Sequence, residues 1–298
     1  MEISFNEDLK SLIANVPEKL TAVKPIAGLT GRCLNASAYR LEFSGGKILK
    51  GREFVPKDHG RKLAKLMQLC PSKSFSRILH ANPQAVIEEW VHGTPLNNNP
   101  IRTEWVRRCG QMMQNLHNID CQDFDAIDGQ NTEFLIKRME ESGRGLLDAG
   151  ILTHNQFTLL RELALQHRPR KQCPFCIVHL DFCPENIVLR ESEELCVIDN
   201  ATMKPGLPVH DLARIWYRWP MSDRLWQEFI KAYDRKDVIS SFVEQFPFWS
   251  TMTLMRSVDL RRKIGSRKIS VPLQRLFSLM SSWQQGQPMN RYNNTYQP

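Results

Sequence analysis

The sequence predicts an α+β protein of two lobes, a small β-rich N-terminal lobe followed by a larger helical C-terminal lobe. Three observations predict it. From Val23 to Phe43 apolar residues alternate among Gly, Thr and Asn, a period-two texture that belongs to strands and turns. After Pro100 the texture changes, and Trp105, Cys109, Met112 and Leu116 fall on one face of a helix. The 298 residues are 42% hydrophobic and 24% charged, enough apolar material to bury a core, which excludes a largely disordered chain. Strands first and helices after is the order of an α+β architecture.

Taken in order, Ser4-Phe5-Asn6-Glu7 fits a capping box, and Leu9, Leu12 and Ile13 follow at helical spacing up to Pro17. Residues 23–43 read as strand, glycine-containing turn, strand. Gly45-Gly46 reads as a hairpin turn and Lys47–Lys50 as the next strand. Residues 59–69 place Leu63, Leu66 and Met67 on one helical face, and Ala85–Val91 reads as a strand ending near Gly93. Helices are expected over 134–147 and 157–165, and through most of 211–280. Residues 176–180 and 194–198 are short apolar runs, read as strands, and 282–298 reads as a frayed tail. The expected division is residues 1–91, 92–281 and the tail 282–298.

The net charge of +8 lies in the last third: residues 201–298 hold 15 Lys/Arg and 7 Asp/Glu, whereas residues 1–200 hold 25 of each. Such an excess fits a solvated basic face, an anionic substrate, a nucleic acid or an acidic membrane surface. No apolar run reaches the ~18–20 residues that span a bilayer. The first eight residues lack the basic-then-apolar pattern of a signal peptide, so a cytoplasmic location with reduced cysteines is expected. Cys173-Pro174-Phe175-Cys176 has no second pair and runs into an apolar strand, which favours inert thiols over a zinc or redox site.

The chemistry concentrates in His179-Leu180-Asp181-Phe182-Cys183-Pro184-Glu185-Asn186, followed thirteen residues later by Asp199 at the end of an apolar strand. On a hairpin, Asp181 and Asn186 share the loop leaving the first strand and Asp199 occupies the turn after its partner. Three oxygen-bearing side chains are then expected to converge. Hard cations such as Mg2+ take a few oxygen ligands together with phosphate oxygens. A carboxylate free of the metal can accept a proton from an attacking hydroxyl.

This pattern, His-x-Asp-x-x-x-x-Asn and then Asp, resembles the catalytic loop of the protein-kinase-like fold. In that frame Gly28-Leu29-Thr30-Gly31 lies where backbone N–H groups would cover phosphates, so Gly28 and Gly31 are candidate nucleotide contacts. Lys50 lies in the third strand, where a kinase places an ammonium on the α- and β-phosphates. Glu89-Trp90-Val91 lies where a hinge would offer the Glu89 carbonyl and the Val91 N–H to adenine. The chain departs from protein kinases in three ways. Asn200-Ala201 follows Asp199, Cys183 stands where a catalytic-loop Lys is usual, and only eleven residues separate Asp199 from Asp211. Val197-Ile198-Asp199-Asn200-Ala201, Gly206, Asp211-Leu212-Ala213 and Leu116-His117 resemble the aminoglycoside phosphotransferase and choline kinase-like family.

That resemblance implies an ATP- and Mg2+-dependent phosphotransferase acting on a small-molecule hydroxyl. Asp181 would be the catalytic base, Asn186 and Asp199 would hold Mg2+, Lys50 would contact ATP phosphates, Asp211 would brace the catalytic loop, and His179 would pack beneath it. The helix after Lys50 carries Arg61 and Lys62 where the family usually has the lysine's Glu partner, leaving Asp58, Glu53 or no partner. In this family the acceptor binds the helical lobe, where the positive excess lies. An anionic acceptor is therefore expected, such as an acidic sugar or glycolipid head group. Trp216, Tyr217, Trp219, Trp226 and Tyr233 leave open a cage for a cationic acceptor of choline, thiamine or antibiotic type, although helical spacing favours core. A nucleotide-binding pseudokinase scaffold is the reading from another class. Nucleic acid is not expected as a partner, because it would explain the basic third but not the catalytic loop. Peripheral contact with acidic lipid stays open.

Overall fold

The computed structural model describes residues 5–26, 36–71, 73–121, 124, 132–169 and 174–285. In chain order the elements are α1 (Glu7–Ala14), β1 (Leu20–Pro25), β2 (Ala36–Phe43), β3 (Ile48–Phe54), α2 (His59–Leu69), β4 (Ile78–Asn82), β5 (Ala85–Glu89) and β6 (Thr94–Pro95). There follow α3 (Thr103–His117), α4 (Thr132–Asp148), α5 (His154–Gln166), β7 (Cys176–Val178), β8 (Ile187–Leu189), β9 (Leu195–Val197) and β10 (Lys204–Gly206). Five helices close the chain: α6 (Pro208–Arg218), α7 (Asp223–Tyr233), α8 (Lys236–Glu244), α9 (Phe246–Lys263) and α10 (Ser270–Gln284). The α+β class, with strands early and helices late, is as the sequence predicts.

The chain forms two compact units, Met1–Pro100 with Pro184–Met203, and Ile101–Cys183 with Lys204–Pro298. The first is built on an antiparallel sheet of order β1-β2-β3-β5-β4. Side chains alternate across a strand, so β3 has two different faces. Leu49 and its neighbours Leu41 and Ile87 join Leu9, Leu12 and Val16 of α1 in an apolar cluster. Gly51 lies on this same face, where a Cβ would sit 2.9 Å from Leu41 Cδ1. Lys50 and Arg52 take the opposite face, with Lys50 directly across from Glu88 of β5. A second, three-stranded sheet, β6-β8-β9, carries the segment from Asn186 to Asp199. Gly93 makes this possible: with φ 142°, its backbone passes so close to β8 that a Cβ would lie 2.2 Å from the Leu189 carbonyl oxygen.

The second unit is organised around α9, on which α4, α5, α6 and α10 pack. From Phe246 to Asp259 every residue of α9 is buried except Arg256, which is partly buried. A helix buried on nearly every side, with its hydroxyl-bearing and acidic side chains inside as well, forms the centre of a core. Trp216, Tyr217, Trp219, Trp226 and Tyr233 are all buried, which makes them core.

Several boundaries differ from the sequence expectation. The N-cap of α1 is Asn6, whose side chain accepts from the Leu9 N–H; Ser4 lies outside the described residues, as does the turn holding Gly28 and Gly31. β3 runs four residues past Lys50. The apolar run 176–180 is strand only to Val178, because Leu180 turns left-handed at φ 62°. β4 escapes the sequence because Ile78–Asn82 is an edge strand of partly buried and exposed residues, lacking a clean alternation. Beyond Gln285 the tail lies outside the described residues. Among those that are described, six cysteines are free and buried, and no helix is long and apolar enough to cross a membrane.

Candidate active site

The candidate residues fall into two groups, one in each unit. In the helical unit the organising atom pair is the Asp211 carboxylate on α6, which is fully buried. Its Oδ2 accepts the His179 N–H at 2.7 Å and its Oδ1 accepts the Leu180 N–H at 2.6 Å. His117 Nε2 lies 3.1 Å from the same carboxylate, and His117 Nδ1 lies 2.6 Å from the Tyr233 hydroxyl. A carboxylate only accepts, so Nε2 donates to Asp211. Burial pushes the Tyr233 phenol well above its usual range, keeping its hydroxyl protonated.

This brace holds Leu180 in a left-handed conformation that costs a non-glycine residue roughly 1–2 kcal/mol. The backbone turn presents Asp181 one residue later. The Asp181 N–H donates to His179 Nδ1 at 3.2 Å, so His179 packs beneath the loop, fully buried. Arg214 of α6 donates from Nε to the Leu180 carbonyl at 2.9 Å and lies 3.3 Å from the Asp181 carboxylate through Nη2. Arg218 Nη1 lies 3.4 Å from the same Oδ1, and its Nη2 lies 3.2 Å from Cys183 Sγ. Positive charge therefore reaches Asp181 from α6, in a loop whose own sequence carries Cys183 in place of a lysine.

In the sheet-rich unit Lys50, Arg52, Glu88 and Asp199 form a buried cluster of two cations and two carboxylates. Arg52 Nη2 lies 2.6 Å from Asp199 Oδ1 and Arg52 Nε lies 3.3 Å from Glu88 Oε1. Lys50 Nζ lies 3.7 Å from Glu88 Oε2. Burial, with Arg52 beside it, holds the Lys50 ammonium below its usual range, while Glu88 and Asp199 pull the other way. The carboxylate opposite Lys50 is thus Glu88, reached across the sheet. Glu53 instead accepts from the Asn6 N–H and the Tyr39 hydroxyl, and Asp58 is an exposed partner of Arg61.

Asp199 sits at φ 62° and ψ 50°, in a turn fixed on both sides. The Asn200 amide donates to Ser76 Oγ at 2.9 Å, and a His59 ring nitrogen lies 2.9 Å from the Ala201 carbonyl oxygen. The Ile198 N–H donates to the Asn186 carbonyl at 2.8 Å, tying the segments of Asn186 and Asp199 together. Both side chains are buried. Glu89 ends β5, its N–H donating to the Arg77 carbonyl and its carboxylate pairing with Arg77 and Arg190. Val91 follows just beyond the strand.

The sequence from residue 48 to 240 matches the model of the phosphotransferase enzyme family, well over half of the chain. The chain belongs to that family. It is accordingly a small-molecule phosphotransferase of the kinase kind. No curated protein sequence gives a significant match. Solved structures show the protein-kinase-like fold. A Plasmodium vivax ethanolamine kinase is 15% identical, with a TM-score of 0.59 over 89% of this chain and 84% of that one. A fructosamine-3-kinase candidate from Thermobifida fusca is 18% identical, with a TM-score of 0.64 over 95% and 100%. The streptomycin–ATP complex of an aminoglycoside phosphotransferase is 12% identical, with a TM-score of 0.60 over 93% and 97%.

Sequence reasoning missed four members of this phosphotransferase's candidate site: Arg52, Glu88, Arg214 and Arg218. Arg52 carries a signal in retrospect, since it stands two residues after Lys50 and so on the same face of β3; Glu88, next to Glu89 at the end of β5, carries none of this kind. Arg214 and Arg218 stand one turn apart on α6 and share the face that also carries Asp211.

Proposed function

We propose that this phosphotransferase moves the γ-phosphoryl group of ATP, in a Mg2+-dependent reaction, to a hydroxyl of a small anionic molecule such as an acidic sugar or a glycolipid head group. The observation that carries the reading is the Asp211 brace. A buried carboxylate that grips two consecutive backbone N–H groups has one evident use, which is to hold the next residue, Asp181, in a fixed direction.

In this reading Asp181 accepts the proton of the acceptor hydroxyl as the oxygen attacks phosphorus, and Arg214 and Arg218 orient its carboxylate. Asp211 and His179 are positioning residues. In the sheet-rich unit Lys50 meets the ATP phosphates, with Glu88 fixing its ammonium. The Glu89 carbonyl and Val91 N–H receive adenine, and Gly28 and Gly31 cover the phosphates. The donor set suits Mg2+: an amide oxygen from Asn186 and a carboxylate from Asp199 are hard ligands on tied segments, and phosphate oxygens complete such a shell. Asn186 and Asp199 would hold the ion, which when bound neutralises charge on the phosphates. Arg52, 2.6 Å from Asp199 Oδ1, orients that carboxylate before nucleotide arrives.

A cationic acceptor is disfavoured because the aromatic residues that could cage it are core, and because the positive excess of residues 201–298 repels it. The test is a screen of hydroxyl compounds with Mg·ATP, read by mass spectrometry and weighted toward anionic sugars. Phosphorylation of an anionic compound is the expected result. ATP binding without transfer to any compound would point to a scaffold, and transfer to choline-like cations alone would overturn the acceptor class.

A further inference from the structure

The Asp199 carboxylate carries a cation supplied by the neighbouring sheet. Arg52 Nη2 lies 2.6 Å from Asp199 Oδ1 and Arg52 Nε lies 3.3 Å from Glu88 Oε1, so one guanidinium spans both carboxylates. All three residues are buried. Both ends of the bridge are fixed by backbone. In the ladder of β3 and β5, Arg52 pairs with Val86 and Lys50 with Glu88, which makes Glu88 the diagonal neighbour of Arg52. Asp199 stands at φ 62° and ψ 50° in a turn held on either side. The Ile198 N–H donates to the Asn186 carbonyl at 2.8 Å, and the Asn200 amide donates to Ser76 Oγ at 2.9 Å. The turn cannot carry Asp199 away from Arg52 without breaking these bonds.

Arginine does not shed its proton, so this contact keeps its charge at any working pH. A divalent ion on the same carboxylate and a guanidinium 2.6 Å from its oxygen repel each other, strongly where water is excluded. Lys50, Arg52, Glu88 and Asp199 already answer one another in two cations and two carboxylates. A bare divalent ion would add two charges that nothing in this quartet meets. A nucleotide reverses the balance. Its phosphates bring several negative charges, and the guanidinium fork suits phosphate oxygens in pairs. Arg52 stands two residues after Lys50 on the same face of β3, the face assigned above to the ATP phosphates.

We propose that Arg52 is a positioning residue that guards the metal-binding carboxylate: it holds Asp199 against bare divalent ions and yields it when nucleotide phosphates arrive to meet its guanidinium. The proposal rests on the reading of Asp199 as a metal ligand in phosphoryl transfer, and it adds the order of events. Metal enters with nucleotide and not ahead of it. Glu88 keeps hold of Nε throughout, so the exchange needs only the Nη2 edge to change partners.

The experiment titrates the full chain with Mn2+ and reads free Mn2+ by electron paramagnetic resonance, first without nucleotide and then with saturating ADP. Wild type, Arg52→Met, Arg52→Gln and Arg52→Lys are compared. Without nucleotide, the Met and Gln variants are expected to bind Mn2+ at least ~10-fold more tightly than wild type, because the competing charge is gone. Arg52→Lys, which keeps a cation, is expected to lie between. With ADP the gap is expected to shrink, since phosphates then occupy the guanidinium. Mn2+ alone is expected to raise the thermal midpoint of Arg52→Met by at least ~2 °C and to leave wild type unmoved. A merely structural arginine would leave metal affinity unchanged and give no recovery with metal. Equal or weaker Mn2+ binding in both neutral variants, or a gap as wide with ADP as without, would overturn the proposal. Tighter Mn2+ binding in the variants together with no ATP turnover on any acceptor would support the guard and contradict the phosphoryl-transfer reading alone.

Discussion

Glu88 shows how much one residue decides in the sheet-rich unit. Its carboxylate meets both Lys50 and Arg52 while 2% exposed. Replacing it by Gln removes the carboxylate that meets both of these buried cations. Glu88→Gln is expected to lower unfolding stability by about 3 kcal/mol, measured by urea denaturation; a loss below about 1 kcal/mol would contradict the pairing. Lys204 gives a pH signature. Its proton is held less tightly in the folded chain, where the group falls from 10.5 to about 8, with Arg138 on α4 and Arg256 on α9 as the charges facing it. The unfolded state therefore binds more protons between those values, so this group's contribution to stability rises with pH across that window. The stability gap between Lys204→Met and wild type is expected to narrow from pH 7 to pH 10. A gap that stays constant would contradict the burial of this charge.

At the scale of elements, the turns and close approaches carry the design. Gly93 lets the chain leaving β5 run against β8, and no side chain fits there. Gly93→Ala is expected to cost at least ~2 kcal/mol and to reduce activity, because it displaces the hairpin of Asn186 and Asp199; unchanged denaturation and kinetics would contradict this. Much of this level was legible in the sequence. The helical face of Leu63, Leu66 and Met67, the Gly45-Gly46 turn and the spacing from Asp181 to Asp199 are all local patterns, set within one or two elements. Glu88 opposite Lys50 was not legible, because the pairing depends on the register between β3 and β5. Ile78–Asn82 was missed because an edge strand with no buried face leaves no alternation to read.

For the molecule as a whole, the sequence divides its charge unevenly, with the entire excess of +8 in residues 201–298. Exposed charge attracts an oppositely charged ligand over a distance set by salt, about 10 Å at 0.1 M and 3 Å at 1 M. For an anionic acceptor, kcat/KM is expected to fall several-fold between about 0.05 and 0.5 M salt. A flat or rising dependence would contradict the anionic assignment. The catalytic bet concerns a single oxygen. Asp181→Asn keeps the shape of the loop and its backbone bonds while removing the proton acceptor. The most direct measurement is single-turnover phosphoryl transfer from Mg·ATP to the best acceptor, wild type against Asp181→Asn, with Mg·ADP affinity measured alongside. The rate is predicted to drop on the order of 10²–10⁴-fold with affinity unchanged; a variant that transfers phosphate at the wild-type rate would contradict the account.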